Sequence, residues 1–250
     1  MIKKQQLARI ALGCALAAAM NVAFAQSVTN GSFESITGSL NGDGALPVNP
    51  GSTAITDWSV VGGSPNVAVL DNTNAFNVFT PFGSNHIDLT GYTDVVPGAK
   101  LQQTVTGFDI GSTYRLSFWL GLNGVGCGLI GNICGGPNGA IVSIGSTTQT
   151  FTHSIGTALP GRQTFSLTNQ AGAVIADRIW DPFNLDFTAT ATSLLLSFEA
   201  PAVSSQNVHS GLDNVAIAPV PGTTVVPLPA AAWLLLSGLG LLGALQRRRS

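Results

Sequence analysis

Along residues 113–122, TYRLSFWLGL, apolar and polar positions alternate, with Tyr114, Leu116, Phe118 and Leu120 facing one way and Arg115, Ser117 and Trp119 the other. A period of two is the mark of a strand buried on one side only. The stretch DPFNLDFTAT at 181–190 follows the same rule, setting Phe183, Leu185 and Phe187 against Asn184, Asp186 and Thr188. Shorter β-branched and aromatic runs predict further strands at 28–34, 55–61, 67–70, 86–89, 100–106, 140–144, 147–153, 194–199 and 212–218. Gly, Pro, Asn and Asp punctuate these runs, and residues 38–52, GSLNGDGALPVNPGS, read as a loop. No helical period and no internal repeat interrupts the series. About eleven short strands with no helices between them predict an all-β fold, an antiparallel jelly-roll β-sandwich over residues 26–218.

Both ends of the chain depart from this pattern. Residues 1–25 carry Lys3, Lys4 and Arg9, then an apolar run, then the small-x-small site Ala23-Phe24-Ala25, which predicts a secretory signal peptide cut after Ala25. A lipoprotein reading through Cys14 would leave only the apolar stretch from Ile10 to Gly13 before the cut, too short for a signal core. At the other end, residues 219–225 form a linker within a Pro- and Gly-rich stalk that reaches Pro227. A run without charge follows at 230–245, then Arg247, Arg248 and Arg249. As a helix that run spans about 24 Å, a little short of the roughly 30 Å of a bilayer core, and flanking Val225, Val226 and Leu228 or local thinning make up the difference, so a single transmembrane helix is predicted with its arginines in the cytoplasm.

Setting the ends aside changes the charge. The body keeps four cations (Lys100, Arg115, Arg162 and Arg178) against all twelve acids, a net charge of −8 where the whole chain has −2. Such a surface cannot neutralise a run of phosphates, which excludes nucleic acid as a partner. Cys127 and Cys134 remain after removal of the signal, and in an oxidising compartment they predict one small disulfide pinning a Gly-rich loop.

Enzymatic signatures are weak. Gly126, Gly128 and Gly131 spell a dinucleotide fingerprint, but no helix follows it. No Gly-x-Ser-x-Gly elbow and no His-Glu-x-x-His helix occurs. His86, His153 and His209 are far apart in sequence; a meeting with one of the aspartates is open to them, but they read as polar residues at strand ends. The chain is therefore expected not to be an enzyme, with a cryptic hydrolase as the remote alternative.

The order of Val226-Pro227-Leu228-Pro229-Ala230, apolar helix and Arg247 to Arg249 resembles the PEP-CTERM sorting signals of Gram-negative bacteria, in their Val-Pro-Leu-Pro-Ala variant. That resemblance implies export, transient anchoring in the inner membrane, processing by an exosortase-type enzyme, and delivery to the cell surface or extracellular matrix. Glycolipid-anchor signals also end in an apolar tail but lack the terminal arginines. The Glu of Pro-Glu-Pro is missing here, which leaves the cut site open.

In the body, NGSFE at 30–34, ITDWSVV at 55–61 and GLDNVAI at 211–217 are similar to landmarks of the choice-of-anchor C proteins, whose bodies are galactose-binding-like jelly rolls. The resemblance implies a binding module without catalysis, Trp58 in the core, and a structural calcium ion held by Glu34 and Asp213. Folds of this kind bind sugars through an aromatic face with polar neighbours, which here singles out Trp119, Arg115 and Tyr92. The expected partner is an extracellular polysaccharide. The alternative is a purely structural matrix or biofilm component.

Overall fold

The computed structural model describes residues 27–62, 66–76, 78–93, 96–123, 138–153, 158–168, 174–202 and 209–222. Twelve strands run through them: β1 (Ala45–Val48), β2 (Ser59–Val61), β3 (Val67–Asp71), β4 (Asn85–Asp88), β5 (Lys100–Thr106), β6 (Thr113–Asn123), β7 (Asn138–Ile144), β8 (Thr147–His153), β9 (Gln163–Thr168), β10 (Val174–Thr188), β11 (Ser193–Glu199) and β12 (Gly211–Pro219). They form a seven-stranded sheet ordered β1-β3-β4-β12-β6-β10-β9 and a five-stranded sheet ordered β2-β5-β11-β7-β8. The paired strands are antiparallel. Only β3–β4, β7–β8 and β9–β10 follow one another within a sheet; every other step along the described strands crosses from one sheet to the other, the repeated switching of a jelly-roll sandwich. Among the described residues no helix is long and apolar enough to cross a membrane.

The alternation along β6 and β10 builds the core. Tyr114, Leu116, Phe118, Leu120, Phe183, Leu185 and Phe187 are all buried, and the pairing Phe118↔Phe183 sets two of the rings side by side. Phe118 stacks on Phe183 at 5.9 Å and meets the edges of Phe151 and Phe198, at 5.1 and 5.4 Å, from the opposite sheet. Trp58 lies in this core as expected, its indole N–H donating to the carbonyls of Thr29 and Asn30.

Three local expectations are corrected. Residues 28–34 form a turn and not a strand: Asn30 and Phe33 take positive φ (49° and 58°), and the Asn30 side chain hydrogen-bonds Ser35 and Thr56. Within the expected loop at 38–52, Ala45–Val48 is a strand, and its Pro47 is tolerated because β1 is a sheet edge. Strand β10 begins at Val174, seven residues before the expected Asp181, and β9 pairs with that extension. The extension hid its period because its outward residues Arg178 and Trp180 are buried under another segment, so polar and apolar faces no longer contrast.

Candidate functional site

That covering segment comprises residues 72–76 and 78–84 between β3 and β4, whose Phe76, Phe79 and Phe82 meet Arg178, Trp180 and Trp119 on the outer side of the seven-stranded sheet. Beneath it the sheet offers a flat seat. Gly121 on β6 and Gly211 on β12 stand opposite each other in register, and a Cβ on Gly121 would fall 2.7 Å from the Trp180 ring. Trp180 therefore lies across bare backbone, its indole N–H donating to the Phe79 carbonyl at 3.0 Å. Arg178, also buried, donates to the Phe76 carbonyl at 3.3 Å. Buried donors from β10 thus hold the segment down by its main-chain oxygens.

Further along the same face stands Trp119, half-buried, with Phe82 of the covering segment on it at 4.6 Å between ring centres. Phe82 also meets Trp180 edge-on at 6.0 Å. Arg115 shares the outward side of β6 with Trp119 and makes a bidentate pair with Asp186, at 2.7 and 2.8 Å. Both partners of that pair are well exposed. Hydrogen bonding to Arg115 holds the Asp186 carboxyl below its usual value, and the same contact raises Arg115. An aromatic surface bordered by a fixed donor and acceptor pair can receive the apolar face of a sugar ring and hydrogen-bond its hydroxyls.

Tyr92 does not join this group. It packs over Ala45, Ala68, Leu70 and Val78 near β1 and β3, with Phe76 edge-on at 5.8 Å and its hydroxyl donating to Asp43 at 2.5 Å. That hydrogen bond raises the Tyr92 phenol. Strands β4 and β12 lie between β3 and β6, so two aromatic positions expected to act together occupy different parts of the sheet.

Glu34 and Asp213 are brought together. Asp213, on β12 in register with Trp119, is fully buried; it accepts the Thr80 hydroxyl and, at 2.6 Å, the Asn214 N–H. Burial lifts its carboxyl to about 7, and the negative charge of nearby Glu34 adds to the rise. Glu34 uses one oxygen, Oε1, to accept the N–H groups of Ser84 and Asn85 at 2.8 and 3.0 Å. Among the described residues no group of three or more His, Cys, Asp and Glu side chains stands together as a metal cluster, so any ion here would need oxygens beyond these two carboxylates.

His86 and His209 depart from the expectation of polar strand ends. His86 and His209 are buried with their Nε2 atoms 3.1 Å apart, and His86 meets Trp180 edge-on at 5.6 Å. Burial, followed by the charges of His209 and Arg178, pushes His86 well below its ordinary value. Two residues along β4, the buried Asp88 accepts from Thr90 and Ser210, and burial raises it to about 6. Buried polar residues in distant runs give no periodic signal; the pairing of β4 with β12 is what joins them. Cys127, Cys134, the signal peptide and the tail from Val226 onward lie outside the described residues, as does the side chain of His153.

Solved structures with a similar course include a CBM4 module (TM-score 0.33, 14% identity, covering 78% of this chain and 100% of that one). The CBM22-1 xylan-binding domain of Paenibacillus barcinonensis Xyn10C gives a TM-score of 0.36 at 16% identity, covering 73% of this chain and 94% of that one. The enzymatically active domain of bacteriophage CBA120 tailspike protein 4 gives 0.38 at 16% identity, covering 78% of this chain. The chain spans only 21% of the length of that tailspike structure. No curated protein matches the chain. Residues 225–249 match the family model of the PEP-CTERM protein-sorting motif, and the chain carries that motif at its C-terminus.

Proposed function

We propose that this chain is an exported, non-enzymatic polysaccharide-binding protein of the cell surface or extracellular matrix. In this reading its C-terminal motif is processed by an exosortase-type enzyme after transient anchoring in the inner membrane. The observation that carries the binding reading is Trp119, half-buried on the outward side of a central strand and bordered by the Arg115–Asp186 pair. Arg115 is neutralised by its partner, and the body is acidic overall, so the site favours uncharged sugar chains over polyanions. The test is retention of the purified protein on a panel of immobilised polysaccharides, beside Trp119→Ala. Equal retention of the two, or none by either, overturns the reading.

Calcium belongs to the same proposal. Glu34 raises the carboxyl of Asp213 through its negative charge, and the hydrogen bonds to both groups come from neutral donors. A divalent cation held by the two carboxylates and nearby main-chain carbonyls would relieve that repulsion. It would tie the first turn of the body to its last strand.

A purely structural matrix role is favoured by one observation. Edge strand β8, TTQTFTH, contains no Lys, Arg, Asp, Glu or Pro, and Thr148, Thr150 and Thr152 are exposed along it. Such an edge lacks the usual guards against pairing with another chain. Concentration-dependent self-association, abolished by Thr150→Lys, with no retention on any polysaccharide would establish that role instead.

A further inference from the structure

We infer that Glu34 is a positioning residue for the aromatic platform: its carboxylate clamps the end of the segment that sets Phe82 against Trp119. The inference rests on the reading of Trp119 as the sugar-binding surface and deepens it.

The chain of contacts is short. Glu34 Oε1 holds the N–H groups of Ser84 and Asn85, the two residues that lead into β4. Gly83 lies between them and Phe82 with a φ of 154°, and a Cβ built on it would fall 2.1 Å from that same Oε1. The carboxylate therefore rests directly on Gly83 Cα, a position no other residue can supply. The other end of the span is fixed by Asp213, which takes the Thr80 hydroxyl while Thr80 Oγ1 accepts the Phe82 N–H at 3.1 Å. Asn72 completes the frame, donating to the carbonyls of Thr80 and Gly83 at 3.1 and 2.8 Å.

Phe82 is thus suspended between two carboxylates, Asp213 before it and Glu34 after it. Of the two, Asp213 is buried inside the frame, so its loss would disturb β12 as well. Glu34 is exposed and reaches in from the turn at 29–35, which makes it the part of the clamp that can be changed without emptying the core. Hydrogen bonds to a charged acceptor are the stronger kind, so two of them on successive amides fix the loop end well.

The experiment uses the full chain with 5-fluorotryptophan incorporated, in EDTA so that no cation contributes. The 19F signal of Trp119 is assigned by Trp119→Phe. Glu34→Ala should move the Trp119 signal, because the Phe82 ring current changes, and leave Trp58 in place. It should also speed amide exchange at Ser84 and Asn85 about tenfold to a hundredfold, as expected on losing a charge-assisted hydrogen bond. Glu34→Gln keeps an acceptor and should hold the Trp119 signal close to its wild-type position. Gly83→Ala, which leaves Glu34 in the chain but displaces its carboxylate, should reproduce Glu34→Ala. Faster exchange at Ser84 and Asn85 with an unmoved Trp119 signal overturns the inference, as does no change in either. A moved signal in a protein that retains no polysaccharide keeps the clamp and removes the sugar-binding reading, so the two failures are separable.

Discussion

Replacing Asp213 by Asn tests the physical state of the most buried carboxyl in the site. With burial as its main cause, the group rises from 3.8 to about 7 in the folded protein. An acid whose folded value is raised contributes stability that is fully present below its unfolded value and is lost as pH climbs through the folded one. From pH 5 to pH 8.5 that loss integrates to about 3 kcal/mol in the absence of cations. Two other groups titrate nearby. Asp88, raised to about 6, acts with the same sign over the lower part of the range. His86, lowered by burial, acts with the opposite sign, its contribution being present above the unfolded value near 6.5 and lost as pH falls below it. Both are common to wild type and variant, so the difference between the two isolates Asp213. Urea unfolding at half-unit pH steps in EDTA should show Asp213→Asn gaining on wild type by about 3 kcal/mol across that range. At pH 5, where Asp213 is itself protonated, the two proteins should be of similar stability, because a neutral carboxyl and an amide each offer Thr80 and Asn214 one acceptor and one donor. Parallel pH profiles for the two proteins would refute the argument.

Other outcomes follow from the same geometry. Calcium should stabilise the wild type, measured as a rise in melting temperature on adding millimolar CaCl2, with an effect that fades below about pH 7 as Asp213 takes up its proton; no shift at pH 8 would remove the ion from the site. Trp119→Ala should weaken polysaccharide binding at least tenfold, about 1.4 kcal/mol by titration calorimetry, and should also lower urea stability, because the half-buried ring packs on Phe82. Arg162→Ala should cost about 3–5 kcal/mol in urea unfolding, because the fully buried Asp181 would lose a bidentate partner at 2.8 and 2.7 Å. Phe118→Ala should cost a similar amount, about 3–5 kcal/mol, through the cavity left among Phe151, Phe183 and Phe198.

Legibility in the sequence follows burial asymmetry. Strands with one wet face, such as β6 and the later half of β10, announce themselves because water enforces a contrast at every second residue. Where a second layer covers the outer face, the contrast disappears, and with it the start of β10 and the partner strand β9. Residues 28–34 misled in the other direction. Their apolar content suited a strand, but Asn30 and Phe33 in left-handed conformations turn the chain, and Trp58 and Val215 are what the turn serves. No spacing rule joins Glu34 to Asp213, two acids far apart in the chain, and only the resemblance implies their pairing, whereas the alternation along β6 by itself places Trp119 on the outward side. An aromatic in a loop after glycine, as Tyr92 is, reads as available in sequence, but its ring closes a small apolar cluster instead.

The site's chemistry sits where the sequence is least periodic, and this has a physical reason. A sandwich core needs only one face of each sheet, so the other face of the seven-stranded sheet is free to carry polar groups, provided something keeps them from solvent or pairs them. Residues 72–84 do so, and the cost of ordering that span is offset through its ends and middle: Asn72 to Thr80 and Gly83, Trp180 to Phe79, Arg178 to Phe76, and the two carboxylates around Phe82. Most of these bonds end on main-chain atoms, so side-chain identity within the segment is constrained only where a ring, a hydroxyl or the amides of Asn72 and Asn74 are used. Residues such as Ala75 are then replaceable, whereas Asn72, Asn74, Thr80, Phe82 and Gly83 are not. A substitution scan of 72–84 should therefore separate into tolerant and intolerant positions along that division, read as urea stability and Trp119 environment together; uniform tolerance would mean the segment is a passive cover.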